Sequence, residues 1–107
     1  MPRRAGTFAY LPPLTREEIA RQIEYILRQG WIPGVEYARE EEVDDDFRRW
    51  WKLPLFNARS VDEVMAEVEA CRQAHPDCYI FVTGYNPQQQ HLKLDFVAYY
   101  PAGQERE

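Results

Sequence analysis

Apolar residues recur along this chain with two different periods, and the switches between them mark its elements. Ile19, Ile23, Ile26 and Leu27 fall at i, i+4, i+7 and i+8, the single stripe of an amphipathic helix. Thr15-Arg16-Glu17-Glu18 ahead of the stripe is a capping box, Leu14 and Ile19 stand at the positions of a hydrophobic staple, and Gly30 is a helix stop. A second stripe, Val61, Val64, Met65, Val68 and Cys71, follows the capping box Ser60-Val61-Asp62-Glu63 and predicts a helix to about Ala74, broken by His75-Pro76-Asp77. Elsewhere the period is two. Trp31, Val35 and Tyr37 alternate with Ile32, Gly34 and Glu36, which predicts a strand from Ile32 to Ala38. Arg49–Leu53 and the β-rich run Cys78–Tyr85 predict two more strands, Asn86 to Gln90 is turn chemistry, and His91–Tyr100 alternates throughout. In that last strand Leu92, Leu94, Phe96, Ala98 and Tyr100 share one face, and His91, Lys93, Asp95, Val97 and Tyr99 the other.

The order arm, α, β, β, α, β, β predicts an α+β fold. It is a single two-layer domain with a four-stranded antiparallel sheet, two helices on one face and an extended N-terminal arm over residues 1–14. The second face would then gather Tyr79, Phe81, Tyr85, Val97 and Tyr99, rings in want of a cover. Residues 102–107 are a polar, frayed tail.

Two stretches stand out against this pattern. Trp50-Trp51-Lys52-Leu53-Pro54-Leu55-Phe56 is too apolar for water, and it is either a strand filling the domain's own core or an adhesive surface. Pro54 ends the extended part near Leu53, so that Trp51 and Leu53 share one side while Leu55 and Phe56 leave from a bend. The residues before it, Arg39 to Phe47, carry six carboxylates, and a solvated loop over 38–49 is expected because like charge at that density resists burial. The arm, with Phe8, Tyr10 and Leu11 before Pro12-Pro13, is biased to a polyproline-like path suited either to a partner's groove or to the domain's own flank.

Composition narrows the function. One domain is all that 107 residues accommodate, and a net charge of -5 disfavours a nucleic-acid partner. A sheet of the RNA-recognition kind has a different element order and a basic surface. No apolar run is long enough to span a membrane, and the first ten residues lack the core of a secretion signal, which points to the cytosol. Cys71, His75 and Cys78 have the spacing of three zinc ligands, but Cys71 belongs to the helix stripe and no fourth ligand is near, so the structural reading is preferred. The aspartates lack the glycine and spacing of a calcium loop, and no nucleophile turn or phosphate loop is present. No metal, cofactor or catalytic constellation is expected in the chain itself.

Tyr10-Leu11-Pro12-Pro13-Leu14, Gly30-Trp31 with Pro33-Gly34 and Glu36, Trp51-Lys52-Leu53-Pro54-Leu55-Phe56, the stretch Glu67 to Cys71, and Gly84-Tyr85-Asn86 together resemble the small subunit of form I ribulose-1,5-bisphosphate carboxylase/oxygenase. The resemblance covers the chain from about Gly6 to Pro101. The short loop is similar to that of prokaryotic members, whereas Phe47-Arg48-Arg49-Trp50 depart from the family's usual tyrosine-tryptophan reading there. The resemblance implies a non-catalytic subunit, with the active site, the carbamylated lysine and Mg2+ all on the large subunit. It implies assembly into a hexadecamer of eight large and eight small chains, in which this chain stabilises the large-subunit octamer and tunes carboxylation and CO2/O2 specificity. By family position, Tyr10, Leu11, Pro12, Pro13, Leu14, Trp51, Lys52, Leu53, Pro54, Leu55, Phe56, Gly84, Tyr85 and Asn86 contact large subunits. Glu40, Glu41, Glu42, Asp44, Asp45 and Asp46 face the central channel beside neighbouring small subunits. The alternative is a small-subunit-like module of a carboxysome scaffold, and a bacterial cytoplasmic location, with or without packaging in carboxysomes, goes with either.

Overall fold

The computed structural model describes residues 14–44 and 47–101. Helix α1 (Arg16–Arg28) leads to strand β1 (Ile32–Ala38), a short helix α2 (Glu40–Asp44), strand β2 (Arg49–Trp50), helix α3 (Val61–Ala74) and the hairpin β3 (Tyr79–Asn86) and β4 (His91–Tyr99). The strands pair antiparallel in the order β2-β1-β3-β4, which places the two sequence-adjacent hairpins side by side.

Both long helices start where their capping boxes put them. The Thr15 hydroxyl accepts from the Glu18 amide at 3.1 Å and the Glu18 carboxylate accepts from the Thr15 amide at 2.8 Å, with Ser60 and Glu63 doing the same at α3. Gly30, at φ 77, takes the left-handed turn that lets α1 reverse into β1. Ile19, Ile23 and Ile26 of α1 and Val64, Met65, Val68 and Cys71 of α3 bury against Val35, Ile80, Val82 and Ala98 on one face of the sheet. Gly84 lies under α1, where a Cβ would come within 3.0 Å of Ile26, so the helix approaches the sheet only because this position carries no side chain.

The structure corrects the predicted alternation of β4 at two places. Tyr85 pairs with Leu92 and Gly84 with Leu94, leaving Lys93 as an extra residue, and Phe81 pairs with Val97 while Ile80 pairs with Tyr99, leaving Ala98 extra. Each bulge shifts the register by one, and a one-residue shift exchanges faces. Leu92 therefore joins Tyr85 on the face away from the helices. Tyr99 moves to the helix face, where its hydroxyl donates to Glu69 and Arg72 stacks 3.9 Å from its ring centroid. Tyr100 takes its place on the opposite face, packed with Tyr79, Phe81, Val97 and Ala38.

The acidic stretch is also different from the solvated loop expected over 38–49. Glu40–Asp44 form α2, because the amides of Glu42 and Val43 donate to the Arg39 carbonyl at 2.9 and 3.0 Å and the Glu42 carboxylate caps the Arg39 amide at 3.0 Å. Glu42 is mostly withdrawn from water and pairs with Arg49, while Val43 packs against the ring cluster of the open face. Arginines on both sides offset part of its charge, Arg39 pairing with Glu41 and Glu42 and Arg49 with Glu42. Strand β2 is shorter than the predicted Arg49–Leu53, ending at Trp50. The arm residues Tyr10, Leu11, Pro12 and Pro13, the loop residues Asp45 and Asp46, and the tail lie outside the described residues.

Ile23 is fully buried between the helices and the sheet. Replacing it with alanine is expected to cost about 3 kcal/mol through lost burial and a residual cavity, and Thr15→Ala about 1 kcal/mol through the lost cap, both read from urea midpoints at unchanged m.

Candidate subunit interface

The apolar stretch after β2 does not leave the sheet when β2 ends. The Trp51 amide donates to the Val35 carbonyl and the Leu55 amide to the Pro33 carbonyl, both at 2.9 Å, so the segment stays tethered along β1 while Lys52-Leu53-Pro54 arch outward. A tight turn closes the arch, with the Phe56 amide donating to the Pro54 carbonyl at 2.9 Å. This path sorts the side chains. Trp51 and Leu55 turn under the sheet edge and pack on the helix-side core. The Trp51 indole N–H donates to Glu67 of α3 at 2.9 Å, and Lys52 reaches the same carboxylate at 3.2 Å, so these donors hold the Glu67 carboxyl below its ordinary range. Trp50 and Phe56 reach the open face of the sheet and are 48% and 65% exposed, while Leu53, on the arch itself, is 75% exposed. The expected pairing of Trp51 with Leu53 on one side is replaced by Trp51 with Leu55, because the arch at residues 52–54 breaks the alternation.

The outward side chains meet others on the open face of the sheet. Trp50, Pro54, Phe56, Ile32, Tyr85 and Leu92 wall an apolar groove of about 270 Å³, with Gly34 and Thr83 at its base and Glu36 at its inner end. The Trp50 ring lies so close over Gly34 that a Cβ there would sit 2.7 Å from Cζ3. Trp50, Phe56, Tyr85 and Leu92 are all substantially exposed, and four large apolar side chains around one groove form the kind of patch that marks an interaction surface.

Of the residues expected at an interface, the structure thus brings Pro54, Phe56 and Tyr85 together at the groove, whereas Leu53 is exposed on the arch outside it, in a hollow shared with Glu63 and Glu67. Leu14 is half-buried against the helix-side core, Gly84 faces α1, and Asn86 caps its own hairpin turn by accepting from the amides of Gln88 and Gln89 at 3.0 and 3.3 Å. Trp50, Ile32 and Leu92 were missed. Trp50 and Ile32 were signalled by their parity with Gly34 and Glu36, whereas Leu92 reaches the groove only through the bulge at Lys93.

A further missed residue is Arg48. Its guanidinium lies 3.7 Å over the Phe81 ring, binds Asp95 through both terminal nitrogens at 2.8 and 3.0 Å, and touches Glu36 at 3.3 Å. Burial works against its charge, but the Asp95 hydrogen bonds and the charges of Asp95 and Glu36 hold it firmly protonated. The rings expected to lie uncovered are in this way roofed by Arg48 and by Val43 of α2, and the exposed apolar surface contracts to the groove end of the face.

Cys71, His75 and Cys78 do not converge on a metal. The His75 ring stacks on Tyr37 at 3.9 Å and meets the edge of Trp51 at 5.9 Å, and among the described residues no group of three or more histidines, cysteines or acids could hold an ion. Nor is any helix among them long and apolar enough to cross a membrane.

The family model for the ribulose bisphosphate carboxylase small chain matches residues 5–101. This chain belongs to the ribulose bisphosphate carboxylase small-chain family. The small subunit from Prochlorothrix hollandica is 44% identical over 99 residues, spanning 92% of this chain and 91% of that one. The small subunit from Synechocystis is 43% identical over 99 residues, spanning 92% and 88%. A chain in the solved Rubisco structure from Galdieria partita superposes with a TM-score of 0.82 at 32% identity, covering 95% of this chain and 75% of that one. Catalysis in this family resides on the large subunit.

Burial pushes the Cys71 thiol up to about 12 and the Cys78 thiol up to about 11, from an ordinary 9.0. The folded small chain should therefore react slowly with a disulfide reagent at pH 8 and rapidly once unfolded in urea. Because the native state keeps these protons when the unfolded state releases them, stability should also fall as pH rises from about 9 towards 11.

Proposed function

We propose that this chain is the non-catalytic small subunit of a form I ribulose bisphosphate carboxylase and docks on the large subunit through the Trp50–Phe56 arch and the groove it walls. The observation that carries the proposal is the sorting of that arch. Trp51 and Leu55 secure it to the domain, while Trp50 and Phe56 remain exposed beside Tyr85 and Leu92. Aromatic side chains held rigid beside a pocket lose little entropy on binding and supply most of an interface's affinity. The small chain then caps and stabilises the large-subunit octamer in an assembly of eight large and eight small chains, and influences carboxylation and CO2/O2 specificity at a distance. Mg2+ and the carbamylated lysine belong to the large subunit, and the small chain works in the bacterial cytoplasm or within carboxysomes. The channel-facing role expected of Glu40, Glu41, Glu42, Asp44, Asp45 and Asp46 is retained for α2 and the residues that follow it, with Glu42 excepted because it turns inward to Arg39 and Arg49. The scaffold-module alternative has no support among these relatives, which carry the small-subunit name over nearly their full length.

Co-expression with a form I large subunit should yield a complex containing both chains, with ribulose-bisphosphate-dependent CO2 fixation well above that of the large subunit alone. Phe56→Asp should weaken assembly by about 30-fold, an interface loss of about 2 kcal/mol, with the far-UV circular dichroism of the isolated chain unchanged. Normal assembly of this variant would refute the groove as the docking surface. Leu55→Asp, by contrast, should destabilise the domain itself, since Leu55 packs on the core.

A further inference from the structure

Two free thiols lie in the helix-side core, away from the groove. Cys71 stands in the last turn of α3 on the face that carries Val64 and Val68, and Cys78 immediately precedes β3 with the parity of Ile80 and Val82. Both side chains therefore enter the layer between helix and sheet, where they belong to one cluster of buried residues. They meet it at the corner where α3 gives way to β3. The Cys71 carbonyl accepts from the His75 amide at 2.9 Å and the His75 carbonyl accepts from the Cys78 amide at 3.1 Å, so the connection doubles back at once. The charge of a Cys78 thiolate would push the Cys71 thiol up, which puts the two sulfurs within electrostatic reach of each other. His75, offered by the spacing as a third metal ligand, is stacked on the Tyr37 ring instead.

The cover over this corner is thin. Pro76 and Asp77 of the turn are exposed, Cys78 is 5% exposed and Cys71 is fully buried. The Cys78 thiol donates to the Asp77 carboxylate at 3.6 Å, at the outer end of the corner. Opening of an exposed connection is a smaller event than global unfolding, and here it bares Cys78 first and Cys71 behind it.

We propose that Cys71 and Cys78 form a redox pair, joined into an intramolecular disulfide by a small-molecule disulfide of the glutathione class and released again by thiols. In the first step the Cys78 thiolate, its proton given to solvent, attacks one sulfur of oxidised glutathione and expels a glutathione thiolate, which takes up a proton. The Cys71 thiolate then attacks the Cys78 sulfur of that mixed disulfide and expels the second glutathione. The two protein thiols lose two electrons and two protons, and oxidised glutathione is reduced to two thiols. The bridge staples the end of α3 to the start of β3. It is independent of the surface through which the chain docks.

The test is overnight incubation of the full chain, folded and without denaturant, with oxidised glutathione at about pH 8.5, read by intact mass and a non-reducing tryptic map. Trypsin cuts after Arg72, between the two cysteines, so a bridged chain releases the peptides Ser60–Arg72 and Gln73–Lys93 as one disulfide-joined species. The expected product has lost two hydrogens, retains no glutathione, gives the joined peptides, melts about 5 °C higher and reverts with dithiothreitol. Cys71→Ser should instead retain one glutathione on Cys78, and Cys78→Ser should stay unmodified in the same time. Retention of glutathione by the wild-type chain without the joined peptides would overturn the proposal, as would a bridge that appears only in urea or one that lowers the melting temperature. These wild-type readings decide the matter even where a serine variant fails to fold.

Discussion

The pairing of two amides with one strand edge governs the architecture of this chain's surface. Trp51 and Leu55 donate to the carbonyls of Val35 and Pro33, and everything between them must arch away from the sheet. The same tether turns the Trp51 ring under the edge to Glu67 and turns Trp50 over Gly34 on the opposite side. The stretch is thus divided by backbone geometry, Trp51 and Leu55 packing on the core while Trp50 and Phe56 stay exposed. On the proposed docking surface, stability and docking draw on different residues of one short segment.

The open face of the sheet follows from a second constraint. A four-stranded sheet with helices on one side leaves a face to be covered, and here the cover is built from the acidic connection itself. Val43 of α2 packs on the rings, and Arg48 lies flat over Phe81 while pairing with Asp95. The roof stops short of the edge near Trp50, Tyr85 and Leu92, and the groove is what it leaves open. This small chain thus covers part of its sheet with a cation stacked on an aromatic residue.

Much of this could be read from the chain in advance. Both long helices were legible because a capping box fixes a start and an apolar stripe fixes a face, and each depends on residues within a few positions of one another. The faces of β1 were legible for the same reason. What escaped were effects of residues far apart in sequence. The bulges at Lys93 and Ala98 exchange the faces of Leu92, Tyr99 and Tyr100, and strict alternation within β4 carries no sign of them, since a bulge is a property of the pairing with β3. Arg48 and Asp95 are 47 positions apart, and the local neighbourhood of Arg48 suggested only an exposed loop. The helical turn in the acidic run escaped because like charge argues for solvation only until the arginines that pair with Glu41 and Glu42 are located.

The docking surface proposed for this small chain lies at one end of the open sheet face, away from the helices. Amide hydrogen exchange, compared between the isolated chain and its complex with a form I large subunit, reads that placement directly. Protection concentrated on peptides covering Trp50 to Phe56 and Tyr85 to Leu92, with the outer surfaces of α1 and α3 unchanged, is the predicted result. Protection confined to the helices, with the arch exchanging as in the free chain, would contradict it.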